Sequence, residues 1–111
     1  MIVGTLRLLP APNRRAAVLD IFRSVQGPVL ARAGCTTCRI YEEQGPEQAL
    51  VLVETWDDQG ALEEHLRSDI YRRILGAIEL STEPPEVRFD TVYATEGMEL
   101  IERLRSRPDP E

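Results

Sequence analysis

The sequence predicts an α+β fold in which one four-stranded antiparallel sheet carries its helices on a single face, in the order βαββαβ. Three observations predict it. Residues 49–53, ALVLV, are apolar at both parities, and because strand side chains alternate faces, both faces of this strand must be covered. Two stretches, Val18, Leu19, Phe22, Val25, Val29 and then Ile70, Tyr71, Ile74, Leu75, Ile78, repeat apolar residues at three- and four-residue steps, which puts each set on one stripe of a helix. Four short β-rich runs are interleaved with those stripes. The chain of 111 residues, 42% hydrophobic and 29% charged, is long enough for one folded domain and too short for two.

Taken in order, residues 2–9 form strand one, ended by Pro10 and Pro12, which remove ladder donors and fix φ. Asn13 is a plausible N-cap for the first helix, and Gly27-Pro28 inside its stripe predicts a kink or break, with Ala33-Gly34 ending the helical region. Residues 35–43 read as strand two, with Cys38, Ile40 and Glu42 on one face and Arg39, Tyr41 and Glu43 on the other. Gln44-Gly45-Pro46-Glu47 is a turn, so strands two and three form a hairpin. Strand three runs into Glu54 and Trp56, which differ by two and share a face, and Asp57 or Asp58 caps the following helix. That helix, 58–66, turns Ala61, Leu62, His65 and Leu66 inward and pairs Glu63 with Arg67 outward. Ser68-Asp69 restarts a helix that Glu83-Pro-Pro-Glu86 stops. Residues 87–93 alternate as strand four, and 97–105 form a short terminal helix. The order is that of the ferredoxin-like, split βαβ motif. Residues 1–95 then make the domain, and 96–111 a short helix with a polar tail.

With the helices on one face, the other face of strand three needs a cover. A second copy supplies it most simply, giving a two-fold homodimer. Net charge is −6 and the thirteen basic residues, all arginine, are interspersed with carboxylates, so the electrostatic footprint of a nucleic-acid binder is missing. Met1 leads into IVGTLRLL with no basic segment before a long apolar run, so neither a signal peptide nor a membrane span is expected, and the cytoplasm is the default compartment.

His65 is the only side chain whose ordinary pKa lies near neutrality, and on an inward helix face it is a candidate general base. Glu54 is placed to orient it, the role a carboxylate plays beside many catalytic imidazoles. The plainer reading is a buried histidine satisfied by a hydrogen bond to the same Glu54. Trp56 is a candidate to stack on a planar ligand, with Phe22, Tyr71 and Phe89 as pocket walls by their predicted faces; core packing is the default for all four. Arg39 and Arg88 lie on strands and are candidates for an acidic ligand, or for pairing across the sheet. Cys35 and Cys38 are three apart on a strand, so their sulfurs are expected on opposite faces with Cα atoms about 10 Å apart, too far for a disulfide. With no second such pair, a zinc set is incomplete, so no metal or cofactor is expected. No phosphate loop or serine triad is present.

The segments Ala33-Gly34-Cys35, Val53-Glu54-Thr55-Trp56 and Ala61 to Asp69 (ALEEHLRSD), in this order and spacing, resemble the antibiotic biosynthesis monooxygenase family over residues 2–92. The resemblance implies a dimeric α+β barrel with a pocket between helices and sheet in each subunit. It also implies oxygenation of quinols or anthrones without metal or flavin. One branch of that family degrades haem with an asparagine in strand one, an aromatic after strand three and a histidine in the next helix. Here those positions hold Thr5 or Arg7, His65, and a residue at or near Leu75, so haem degradation is not implied. The leading expectation is a cofactor-independent monooxygenase acting on a small electron-rich aromatic. The alternatives are a non-catalytic, dimeric ligand-binding or stress-related protein, and an isomerase or lyase using His65 for proton transfer alone.

Overall fold

The computed structural model describes residues 1–106. Strand β1 (Ile2–Leu8) leads through a 3-10 turn (Pro12–Arg14) into α1 (Arg15–Leu30), β2 (Cys35–Glu42), β3 (Leu50–Trp56), α2 (Gln59–Leu66), α3 (Asp69–Glu79), β4 (Glu86–Thr91) and α4 (Met98–Arg105). The sheet order is β2-β3-β1-β4, antiparallel throughout, so β1 and β3 are central. The expected four-stranded ferredoxin-like α+β sheet is therefore present. The predicted polar tail, 107–111, lies outside the described residues.

Period-two alternation decides the layers. Ile2, Leu6 and Leu8 of β1 and Leu50, Leu52, Glu54 and Trp56 of β3 are buried toward the helices, while Val3, Thr5, Arg7, Val51, Val53 and Thr55 point to the far side and are half-buried. Helix α1 brings Val18, Phe22, Val25 and Val29 down onto this sheet, each fully buried. At about 1.5–3 kcal/mol per buried side chain of this size, that stripe is a principal source of cohesion. Asp58 caps α2 as its spacing predicts, its Oδ1 accepting from the Ala61 amide at 2.9 Å, and Glu63 pairs with Arg67.

Several expectations are corrected. Asn13 caps nothing: Pro12 opens a 3-10 turn closed by the Arg14 amide donating to the Ala11 carbonyl at 2.8 Å, and α1 starts after it. Pro28 does not break α1, which runs on to Leu30. It sits two residues before the helix end on the solvent side, and the amide bond it deletes would have used the carbonyl of exposed Ser24. Leu75 is exposed rather than part of the core stripe, and Tyr93 lies beyond β4 and is fully exposed. Helix α4 buries none of its residues.

Gly34 explains the Ala-Gly-Cys segment between α1 and β2. Its φ is +85°, and a Cβ there would lie 2.4 Å from the Ala61 Cβ, so the chain turns against the first turn of α2 only without a side chain. Its carbonyl also accepts from the Asp57 amide at 2.8 Å, tying this turn to the end of β3. Gly34→Ala should therefore destabilise the protein by about 2 kcal/mol or more, combining backbone strain with overpacking. A urea midpoint equal to wild type would contradict this account.

Candidate active site

The end of β3 and the inner face of α2 bring three side chains together. Glu54 and Trp56 share the helix-side face of β3, and α2 places His65 directly above them. The His65 Nε2 lies 3.1 and 3.2 Å from the two Glu54 carboxylate oxygens, and the Trp56 indole N–H donates to Glu54 Oε1 at 3.3 Å. The Trp56 and His65 rings stack with centroids 4.6 Å apart, and Tyr71 meets the imidazole edge-on at 5.3 Å. His65 and Trp56 are wholly buried and Glu54 nearly so. The Ser68 hydroxyl donates to the His65 carbonyl at 2.6 Å, fixing the turn that carries the imidazole instead of capping α3.

This packing selects one tautomer. The buried His65 Nδ1 has no partner, so a proton there would be an unsatisfied donor, whereas a proton on Nε2 is used by Glu54. A neutral imidazole with Nε2–H facing a Glu54 carboxylate satisfies every donor in the cluster. Glu54 then accepts two N–H bonds and retains lone pairs for a third partner.

That third partner has a place to stand. Between α3 and the β3-β1-β4 part of the sheet lies a small, half-open cleft of about 20 Å³, lined by Gly4, Thr5, Leu6, Leu52, Glu54, Tyr71, Ile74, Val87 and Phe89. Apart from the Glu54 carboxylate and the Tyr71 phenol, the helix-side side chains that line it are apolar. Burial, reinforced by the Glu54 charge, raises the Tyr71 pKa, so the phenol stays protonated and able to donate. The other concavities are lined largely by charged surface side chains, as around Arg7, whose guanidinium is engaged by Glu43, Glu47 and Glu86. Among the described residues, no three of His, Cys, Asp or Glu converge as metal ligands, and no helix is long and apolar enough to cross a membrane.

The model of the antibiotic biosynthesis monooxygenase family matches residues 1–77, more than half of the chain. The chain belongs to this family. Its fold is similar to that of Rv0793 from Mycobacterium tuberculosis, at 27% identity and a TM-score of 0.78, covering 86% of this chain and 98% of that one. A conserved protein from Methanosarcina mazei matches at 23% identity and 0.74, covering 80% and 89%. A structure named antibiotic biosynthesis monooxygenase matches at 17% and 0.75, covering 85% and 100%. No protein of curated function matches the sequence.

On this family scaffold, the residues singled out from sequence divide into three groups. Glu54, Tyr71 and Phe89 line the cleft. His65 and Trp56 stand behind Glu54, in contact with it but away from the cleft wall, and the Trp56 ring is used on His65. Phe22 is fully buried in the core under α1 and does not reach the cleft. Arg39 and Arg88 pair with Val53 and Thr5 and so lie on the far face of the sheet, where Arg88 binds Asp90 at 2.9 Å. Residue-by-residue reading passed over Gly4, Leu6, Leu52 and Ile74. The one available signal was a glycine interrupting the inward row Ile2, Leu6, Leu8 of an otherwise apolar strand.

The cysteines correct a prediction. A β-bulge falls between Cys35 and Thr37, so Cys35 pairs with Trp56 and Cys38 with Glu54. Since Trp56 and Glu54 share a face, both thiols lie on the helix side; Thr36 is the extra residue, and Thr37 turns outward to bond Thr55 at 2.7 Å. Both thiols are free. Burial, and then the Glu54 charge, raise both pKa values, that of Cys38 to about 12. Only the thiolate alkylates, so Cys38 in the native protein should react at pH 8 on the order of 10³-fold more slowly than an unfolded thiol, and its rate should still climb above pH 9 where the unfolded thiol levels off. Timed iodoacetamide labelling read by peptide mass checks this, and equal native and denatured rates would refute it.

Proposed function

We propose that the protein is a cofactor-independent monooxygenase that oxidises a small electron-rich aromatic of the quinol or anthrone type with O₂, acting as a homodimer. The observation that carries this reading is the Glu54 carboxylate, presented to an apolar cleft with two N–H donors already behind it. Such a group accepts the acidic proton of a bound aromatic, while the buried Leu6, Leu52 and Ile74 around it limit its contact with water. For an anthrone-type methylene, the proton passes to Glu54 and the delocalised carbanion gives one electron to O₂. The resulting carbon radical and superoxide join in a C–O bond, and the proton held by Glu54 returns to the peroxide. Loss of water takes the second C–H proton, cleaves the O–O bond and leaves a carbonyl. One oxygen stays in the product and the substrate supplies the electrons that reduce the other. His65 acts through Glu54 as a positioning residue, and Tyr71, kept neutral, donates to a substrate oxygen.

Oxygen uptake with anthrone and 1,4-naphthohydroquinone, using protein shown by analysis to be free of metal and flavin, tests the reading. Glu54→Gln should lower kcat by about 10² to 10⁴, the usual contribution of a positioned proton acceptor. His65→Gln, whose amide still donates toward Glu54, should lose less. Turnover of Glu54→Gln at the wild-type rate would remove the carboxylate from the mechanism.

The homodimer reading is supported by the far face of the sheet, where Val3, Val51 and Val53 form an apolar strip that no helix covers. Light scattering at micromolar concentration should give twice the 12.5 kDa chain mass. A stable monomer would sink the assembly and leave the cleft chemistry standing.

A further inference from the structure

We propose that α4 of one chain docks on a second copy, its apolar stripe covering the open strip between α3 and β4 and so completing the outer wall of the partner's cleft. This rests on the homodimer reading and goes beyond it, since each candidate site then needs two chains. Met98, Ile101 and Leu104 recur at three-residue steps, share one stripe of α4 and are all exposed. The helix has eight residues and buries none of them. Isolated helices shorter than about 12 residues are marginal in water, so α4 needs a surface for that stripe. Its own chain does not supply one. The Cα radius of gyration is 17.6 Å, against about 13 Å for a compact chain of this length, and α4 stands off the body.

A surface of matching character is open on the same molecule. Val87 and Phe89 pair with Leu6 and Gly4 and so face the helix side, yet both are exposed, because α1 packs on β2 and α2 on β3 and the edge strand β4 is left open. Tyr71 of α3 lines the cleft beside them, and Leu75, one turn further along that helix, extends the exposed strip. Charge sets the direction in which α4 lies. It runs acid-first, Glu99 and Glu102 ahead of Arg103 and Arg105, whereas the exposed edge of α3 beside Leu75 runs from Arg72 to Glu79. Laid parallel, the two helices bring opposite charges together, which fixes register more than it adds affinity. The route also fits. The Val92 amide donates to the Met1 carbonyl at 2.8 Å, and from the fully exposed Tyr93 the chain leaves the sheet at β4, the edge that borders the proposed dimer face. With two-fold symmetry each arm covers the other copy's strip, and the exchange closes on itself.

Hydrogen exchange read by mass spectrometry on the full chain tests this, because an undocked helix of this length exchanges close to the unstructured rate. In wild type the α4 amides should exchange at least about tenfold more slowly than that rate. Phe89→Asp should abolish the protection, and Val87→Asp on the same strip should do so too, carrying the test if the first variant fails to fold. Phe89→Asp spoils the strip and leaves the arm intact; Ile101→Asp does the converse. When these two chains are coexpressed, the peptides that carry Ile101 should regain protection in about half of their population, because in mixed dimers an intact arm meets an intact strip. Docking of each arm on its own chain gives no such regain, and that result overturns the proposal. Protection of α4 that survives both strip variants overturns it as well. Fast α4 exchange in a wild-type protein that light scattering shows to be a dimer defeats this inference and leaves the homodimer reading standing, whereas a monomer defeats both.

Discussion

The arrangement depends on one buried carboxylate. Glu54 sits on the inner face of a central strand where its neighbours along the row are Leu52 and Trp56, and an ionised group taken out of water without partners costs several kcal/mol. The cost is offset by two N–H groups, one from the indole two residues along the same strand and one from an imidazole on the next helix. Each donor is itself immobilised, because the two rings stack on one another and Tyr71 closes the imidazole's edge. The cluster is therefore held from several sides, and Glu54 also lines the cleft between α3 and the sheet.

Local features of the chain serve this constraint. The Asp58 cap starts α2 at the register that brings His65 over Glu54, and the Ser68 hydroxyl holds the carbonyl of His65 itself. Gly34 lets the α1–β2 turn close against Ala61 on the same helix, so α2 is located from both ends. The cleft lies where β4 is left partly open, with Val87 and Phe89 exposed, while α1 packs on β2 and α2 on β3. Elements that bury completely supply the scaffold, and the incompletely covered strand supplies the opening.

The charge of Glu54 also reaches outward. With burial it holds the Cys38 and Cys35 thiols and the Tyr71 phenol in their neutral forms. The thiols are thus inert packing on the helix side of β2, which agrees with their place against the core cluster.

Much of this was legible in the sequence, for a physical reason: periods of 2.0 and 3.6 assign faces wherever the chain is regular. That was enough to obtain the βαββαβ order, the shared face of Glu54 and Trp56, the inward His65 and the Asp58 cap. Tertiary structure alone decided the rest. A one-residue bulge reversed the expected separation of Cys35 and Cys38, because it shifts parity without any mark that periodicity can detect. Periodicity likewise placed Phe22 and Phe89 on inner faces alike, but only the covering of the sheet sends Phe22 into the core and leaves Phe89 at the cleft. Which inward imidazole or carboxylate meets the cavity depends on distances between elements far apart in the chain. His65 points inward as its helix dictates, and the packing of α2 against β3 puts Glu54 in front of it.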